Sequence, residues 1–283
     1  MATIDTTAIV LEKRKLTEVT TLFLVAAPLV ARNAAPGQFV IVRVSETGER
    51  VPISLTGFDP VAGTITLVVQ AVGRTSGLIC ALEEGDEILD VAGPLGQPVE
   101  LPEAGHAVLI GGGFGAGAIF PLARELRGRG VRVSAIVGAR TRELVILGDL
   151  LEPVCDAYHV CTDDGSAGYH GLVTGRLEEL LESGESFTSC FAVGPMPMMR
   201  AVAETTGRWS LPAMVSLDPV MIDGTGMCGG CRVTVGGVTR FACVDGPFFD
   251  ASAIDFDEAA ARKAMYADEE RIACEVAETK VAV

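Results

Sequence analysis

The sequence predicts a multi-domain α+β protein in three parts. An antiparallel β-barrel is expected over residues 1–102, an α/β domain with a parallel sheet over 103–212, and a small module over 213–283. Three observations predict this. Short β-branched runs at regular spacing fill the first hundred residues, strand and helix patterns then alternate, and cysteines with glycines gather after Asp223. A length of 283 residues suits the division, because single domains commonly hold about 100–150 residues.

In the first part, TIDTTAIVLEKRKL, VTTLFLVAAP, GQFVIVRVS, VPISLTGFD, GTITLVVQAVG and GDEILDVAGPLG are short and partly alternating, with Gly, Pro, Asp and Asn between them. Strands of this kind are expected to curl into a small antiparallel barrel. The pattern changes near residue 103. HAVLIGGG reads as a buried strand of parallel type ending in glycines. AIFPLARELRGRG follows with helical spacing: Ile119, Leu122, Ala123 and Leu126 share a face, and the segment closes on Gly128. VRVSAIVGAR, DAYHVCTDD and FTSCFAVG are further strands, while TGRLEELLES and PMPMMRAVAETT are further helices. Such alternation predicts a parallel sheet with helices on its faces. From about residue 213 short strands return around the cysteines, and an acidic helical tail follows, DFDEAAARKAMYADEERIACE.

Composition narrows the function classes. Hydrophobic residues at 49% with charged residues at 21% support packed cores. A net charge of −15 argues against nucleic acid or an anionic membrane as partner. No apolar run reaches the roughly 18–20 residues that span a bilayer. MATIDTTAIVLEKRKL lacks a basic stretch followed by an apolar one, so no signal peptide is expected. The eight cysteines lack the paired density of a secreted scaffold. A reducing, cytoplasmic setting is expected, where C-x2-C more often serves a metal, a cluster or redox chemistry than a staple. Cys80, Cys155, Cys161, Cys190 and Cys274 are scattered and read as buried small hydrophobes.

VLIGGGFGAGAIF places Gly111, Gly112, Gly113, Gly115 and Gly117 between a strand and a helix. Glycines let a backbone approach a pyrophosphate, and a helix N-terminus offers free N–H groups and the positive end of its dipole. The same glycines could serve a tightly packed turn alone. Arg140 and Arg142 in VGARTREL follow the next strand and could meet a ribose phosphate. No acid that selects NAD over NADP is evident there, so the choice stays open. Asp163 and Asp164 in TDDGSAGYHG, and Gly194 with Met196 in AVGPMPMM, end two more strands. Ligands gather at such carboxyl ends in open α/β sheets, so these strand ends predict one nucleotide crevice.

The last motif is Asp223-x4-Cys228-x2-Cys231-x11-Cys243 in a glycine-rich setting. An iron–sulfur cluster needs thiolates from a loop that wraps closely and offers N–H groups to the sulfurs. Zinc would prefer a second C-x2-C or a nearby histidine pair, and the three histidines, His106, His159 and His170, belong to the sheet domain. A redox dithiol and a plain structural loop complete the readings.

The order of the parts and two short motifs carry a resemblance. R-x-P-I-S runs from Arg50 to Ser54, G-R-T-S from Gly73 to Ser76, and the glycine turn then opens the second domain. This arrangement resembles the ferredoxin–NADP reductase superfamily, whose barrel holds FAD and whose sheet domain holds a nicotinamide nucleotide. The resemblance implies that Arg50 and Ser54 contact the flavin or its phosphates, and that Pro52 and Ile53 line the ring, where many relatives stack a tyrosine. It also implies that Gly73, Thr75 and Ser76 hold the pyrophosphate. The Pro-Ile-Ser variant resembles the electron-transfer subunit of dihydroorotate dehydrogenase, a branch with a C-terminal [2Fe-2S] domain.

Within that branch, an aspartate in place of the first cysteine of C-x4-C-x2-C…C is similar to two small-subunit groups. One belongs to NADH-dependent reduced ferredoxin:NADP+ oxidoreductase, an electron-bifurcating enzyme, and the other to sulfide dehydrogenase. The resemblance implies Asp223, Cys228, Cys231 and Cys243 as cluster ligands. It implies an oxidoreductase subunit that moves electrons between NAD(H), FAD, the [2Fe-2S] cluster and a larger partner flavoprotein. That partner would carry its own FAD and [4Fe-4S] clusters, resemble a glutamate synthase small subunit, and reach ferredoxin. Hydride transfer asks for no side-chain acid, base or nucleophile, so no classical catalytic residue is expected. The alternatives are a subunit of a dihydroorotate or sulfide dehydrogenase and, from another class, a zinc-binding module that senses a nucleotide.

Overall fold

The computed structural model describes residues 8–269 and 271–272. Its first sheet has seven strands: β1 (Ala8–Lys15), β2 (Thr20–Ala26), β3 (Phe39–Arg43), β4 (Val51–Asp59), β5 (Thr64–Gln70), β6 (Glu87–Ile88) and β7 (Asp90–Leu95). Their order is β6-β1-β2-β5-β4-β3-β7, with every pairing antiparallel. A single residue, Leu89, separates β6 from β7, so the chain itself carries the sheet from one edge to the other. The expected strands are all present, although residues 3–7 of the first lie outside the described residues.

Pleating decides where the barrel side chains go. Phe23, Val25, Ile65, Leu67 and Val69 fill the barrel core. Leu22 and Val68, paired across β2 and β5, point the opposite way, into the core of the second domain. Both faces of β2 are therefore covered, which explains its nearly unbroken apolar run. Two short helices interrupt the strands. α1 (Pro28–Asn33) begins with proline at its first position. α2 (Arg74–Cys80) occupies a segment for which the sequence suggests only a turn. Its signal is a cap: Ser76 Oγ accepts from the N–H groups of Val72 (3.0 Å) and Gly73 (2.9 Å).

The second sheet follows from β8 (His106–Gly112), β9 (Arg132–Ala139), β10 (Ala157–Thr162), β11 (Tyr169–His170), β12 (Ser189–Val193) and β13 (Ala213–Ser216), all parallel. Helices α3 (Gly115–Gly128), α4 (Gly148–Leu151), α5 (Val173–Glu182) and α6 (Met196–Arg208) connect them. Ile119, Leu122, Ala123 and Leu126 of α3 are fully buried, as their spacing predicts. The chain then makes a hairpin, β14 (Arg232–Val235) and β15 (Val238–Phe241), and α7 (Ala242–Asp245). Strand β16 (Phe248–Asp250) returns to pair antiparallel with β13. The order β11-β10-β9-β8-β12-β13-β16 puts a switch of winding between β8 and β12, the place where an α/β sheet opens a crevice.

Strands β13 and β16 come from beyond residue 212, yet they extend this sheet. The cysteine-bearing segments are thus anchored to the sheet edge at both ends. α8 (Phe256–Lys263) follows, capped by Asp255, which accepts from Glu258 N–H at 2.9 Å. The helical tail continues to residue 269. Residues 271–272 are helical as well, while residue 270 and the end of the expected tail from 273, including Cys274, lie outside the described residues. Cys161 and Cys190 are buried, as expected, but Cys80 and Cys155 are only partly buried, which corrects that expectation. Both sit at the ends of elements, where packing covers one side only. Among the described residues no helix is long and apolar enough to cross a membrane.

Candidate functional site

A cleft of about 430 Å³ opens where the barrel meets the sheet, a size typical of small-molecule sites. β4 builds one wall with Pro52, Ile53 and Ser54. A bulge then re-aims the strand: its register jumps from Leu55↔Leu67 to Gly57↔Thr66. The extra residue, Thr56, is 1% exposed and lines the cleft, a common use of bulges beside sites. Ser76 of α2 and Gly194 after β12 also line it. Arg50, Gly73 and Thr75 are not part of this lining. Arg50 is exposed just before β4, and Thr75 is buried with its hydroxyl donating to Glu49.

The two readings of the glycine turn separate residue by residue. A Cβ on Gly111 would come within 2.9 Å of Ala116 Cα, and one on Gly115 would overlap the Val193 carbonyl oxygen. Gly112 and Gly194 both lie against the Met198 thioether. Gly111 and Gly115 thus let α3 approach the ends of β8 and β12, and Gly112 and Gly194 make room for α6. Gly113 differs. It has φ +56° and faces open space, while its N–H donates to Gly138 O at 2.8 Å. Phe114 follows, 43% exposed, and its ring lines the cleft. No side chain caps α3; Ala116 N–H and Gly117 N–H turn back onto Gly113 O (3.2 Å) and Phe114 O (3.0 Å), which leaves the Gly115 N–H at the tip of the helix to face an anion.

The neighbouring strand ends stand side by side in the order β10, β9, β8, β12. Arg140, just after β9, is exposed; its carbonyl accepts from Asp164 N–H at 3.2 Å, while its guanidinium makes no hydrogen bond or ion pair with any described residue. Arg142 is tied down instead, donating twice to Ser166 O (2.9 and 2.6 Å). Asp164 accepts from Ser166 Oγ (2.6 Å) and Ser166 N (3.0 Å). These bonds, the hydroxyl first, hold its carboxyl below the ordinary range. Asp163 is exposed beside it. Met196 is buried under α6 and away from the lining. Phe114, Thr56, Asp218 and Lys263 line the cleft without having been singled out in the sequence.

The cysteine loop begins at the cleft wall. Leu217, Asp218 and Met221 are lining residues, and Asp223 follows two positions later. Gly224, Gly226 and Gly229 all have positive φ (+74°, +83° and +66°), so the loop coils tightly. Asp223 organises it: Oδ1 accepts from Thr225 N (2.9 Å) and Oδ2 from Cys228 N (2.6 Å). Those N–H groups, Thr225 first, hold its carboxyl below the usual range. Cys228 is exposed, whereas Cys231 and Cys243 are buried with their sulfurs 3.1 Å apart. Burial, then the neighbouring Cys231, pushes the Cys243 thiol up to about 12.

Among the described residues no three Cys, His, Asp or Glu side chains already stand together as ligands of one metal ion. Two thiolates on a tetrahedral metal stand about 3.8 Å apart, given bonds of about 2.3 Å, and Cys231 with Cys243 come near that spacing. The histidines remain on β8, β10 and β11, which leaves zinc without nitrogen ligands here.

Comparison with known proteins agrees with this geometry. Residues 218–255 match the family described as the iron–sulfur cluster binding domain of dihydroorotate dehydrogenase B. A dihydroorotate dehydrogenase B (NAD(+)) electron transfer subunit homolog from Thermotoga maritima is 42% identical, covering 94% of each chain. The corresponding electron transfer subunit of Geobacillus thermodenitrificans is 34% identical over 87% of this chain and 96% of its own. A solved structure described under flavin-based electron bifurcation, of an NADH-dependent reduced ferredoxin-NADP oxidoreductase, superposes with a TM-score of 0.91. It is 39% identical and covers 97% of this chain and 99% of its own.

Proposed function

This chain belongs to the family of dihydroorotate dehydrogenase B electron-transfer subunits, and on that premise we propose that it is a flavin and iron–sulfur electron-transfer subunit of a hetero-oligomeric oxidoreductase. FAD occupies the cleft and NAD(H) the crevice at the ends of β8, β9 and β12. Asp223, Cys228, Cys231 and Cys243 hold a [2Fe-2S] cluster. The flavin supplies the exchange between a two-electron hydride donor and a one-electron cluster.

One observation carries the reading. Met221 lines the cleft, and Asp223 lies two residues on, at most about 7 Å along the chain. The two centres therefore share a wall. The residues fit both groups. The cleft combines apolar faces, Pro52, Ile53 and Phe114, with hydroxyls on Ser54, Thr56 and Ser76, the lining expected of a flat heteroaromatic ring. The loop offers three sulfurs, one carboxylate and a coiled glycine backbone. Asp223 can accept its two N–H bonds and still present lone pairs, since a carboxylate carries about four.

The chain's part is positioning. β4 and α2 hold one side of the ring, the glycine turn brings the nucleotide to the other, and Phe114 shields the junction from water. Relatives named as subunits support a larger partner chain. The finer assignment is a flavoprotein with its own FAD and [4Fe-4S] clusters, similar to a glutamate synthase small subunit and serving ferredoxin. It is supported by the match to the bifurcating oxidoreductase along nearly the whole chain. A subunit of a dihydroorotate dehydrogenase is the second reading, favoured by the matched module at residues 218–255.

Purified protein should be brown, with FAD and iron in a ratio of one to two. A colourless protein carrying zinc or no metal would refute the proposal. Flavin reduction followed by stopped flow should be faster with NADH than with NADPH. Identification of the chains that co-purify from the native host separates the two readings of the partner.

A further inference from the structure

Helix α8 runs from the β14–β15 hairpin to the cysteine loop. At its start, Asp255 N–H donates to Thr234 O of β14 at 3.0 Å. In its last turn, Arg262 donates from Nη2 to Gly230 O at 3.4 Å. Gly230 sits between Cys228 and Cys231, and its own N–H donates to Cys228 Sγ at 3.4 Å. Arg262 therefore holds, by its carbonyl, the residue whose N–H serves a proposed ligand sulfur.

The last turn of α8 carries two cations, Arg262 and Lys263, and they differ. Lys263 is paired with Asp218. Arg262 is half-buried, and its Nε is covered from solvent without a hydrogen-bond partner. Among the described residues no carboxylate stands within ion-pair distance of its guanidinium. Glu258 lies one turn earlier on the same face of α8 and is also half-buried, with Oε2 covered and unpartnered. Spacing of i, i+4 would let these two pair, yet they do not. A second guanidinium flanks the loop: a Cβ on Gly229 would come within 2.9 Å of Arg232 Nη1. Arg232 is exposed.

A half-buried charge is costly unless something opposes it. A cluster held by three thiolates and a carboxylate is anionic, and it gains a further negative charge on reduction. A cation beside it favours the reduced form, and one shielded from water acts more strongly than an exposed one. A cation in the last turn also suits the helix dipole, but that duty asks nothing of Gly230.

Resting on the [2Fe-2S] reading above, we propose that Arg262 is a positioning residue for the cluster: it braces Gly230 for its N–H bond to Cys228, and its charge raises the cluster's reduction potential. Glu258, one turn back on the same helix, acts in the opposite sense.

A redox titration of the intact purified protein, followed by the paramagnetic signal of the reduced cluster, tests this. Arg262→Gln should lower the midpoint. At a fixed applied potential the ratio of reduced to oxidised cluster should fall about tenfold, which is about 59 mV for one electron. Arg262→Lys keeps the charge and loses only the planar fork, so its ratio should stay within about threefold of wild type. Glu258→Gln should raise the midpoint. Arg232→Gln should shift it less than Arg262→Gln, because an exposed charge is screened.

An Arg262→Gln ratio within about threefold of wild type would overturn the inference. So would an Arg262→Lys midpoint as low as that of Arg262→Gln, since charge would then not be the agent, or a larger shift from Arg232→Gln. If Arg262→Gln loses its iron, Glu258→Gln decides, and an unchanged or lower midpoint there overturns the inference. Wild-type protein with no iron and no such signal sinks the proposed function. Protein whose cluster ignores these substitutions sinks this inference alone.

Discussion

Replacing Gly115 by alanine should damage the crevice before any ligand is involved. A Cβ there would overlap the Val193 carbonyl oxygen and sit 2.7 Å from Val193 C. These are backbone atoms at the end of β12, so no flexible side chain can swing aside. α3 cannot simply slide either, because Ile119, Leu122 and Leu126 are fully buried beneath it. Overpacking a dense site costs about 1–3 kcal/mol, and a backbone clash belongs at the upper end. At about 2–4 °C per kcal/mol for a chain of this size, the unfolding midpoint should fall by about 6–12 °C. Two neighbours act as internal controls. Gly113→Ala meets open space and carries only the left-handed φ of +56°, a cost of about 1 kcal/mol. Gly128→Ala, at the open end of α3, should gain about 0.5 kcal/mol by restricting the unfolded chain. Thermal unfolding by circular dichroism, at fixed FAD and NAD concentrations because bound ligands raise the midpoint, gives the ranking. A Gly115→Ala midpoint within about 2 °C of wild type would refute the packing argument.

Further outcomes are expected. Asp223→Cys should retain iron but shift the cluster's potential and paramagnetic spectrum, since a hard carboxylate oxygen is exchanged for thiolate; an unchanged spectrum rules out ligation by Asp223. The same carboxyl sets an acid limit. Because its folded value lies below the usual range, the loop stability it contributes is complete above about pH 4 and disappears as pH falls further, so in iron-free protein the exchange protection factors of the Thr225 and Cys228 amides should hold from neutral pH down to that point. Arg140→Ala should leave the unfolding midpoint unchanged and weaken NADPH more than NADH, by an amount that shrinks with salt. Arg142→Ala should instead loosen the Asp164–Ser166 loop to which Arg142 is bonded, seen as faster amide exchange there. After iron chelation, thiol alkylation should mark Cys228 first. Cys190 and Cys161, which burial pushes up to about 12 and about 11, should remain unmarked by peptide mapping.

Much of the architecture was legible because its signals are local. Alternation in VTTLFLVAAP and GTITLVVQAVG marks β2 and β5, and the spacing of Ile119, Leu122 and Leu126 marks α3. The site was less legible for a physical reason. The glycine turn mixes two duties in one string, and sequence cannot assign them. Gly111 and Gly115 are fixed by atoms of Ala116 and Val193, while Gly113 alone is shaped by its own φ. Arg140 and Arg142 look alike in VGARTREL, yet only Arg142 meets Ser166, more than twenty positions away. α2 was missed because its cap is Ser76 folding back on Val72 and Gly73, inside a string that also reads as a turn.

Composition divides the chain at residue 212, but hydrogen bonding does not. β13 and β16 continue the parallel sheet, and the residues between them supply both the wall of the cleft and the cysteine loop. Asp218 and Lys263 could not have been paired from sequence, being 45 positions apart, one after a strand and one in an acidic tail. Once paired, they join the end of α8 to the cleft, and the adjacent Arg262 joins it to the loop carbonyl of Gly230. A change in the cysteine loop must therefore be felt at the cleft wall through Met221 and α8. Loss of iron should alter the flavin's visible spectrum even where FAD stays bound, and a spectrum indifferent to the metal would show that the two sites share a chain without sharing a wall.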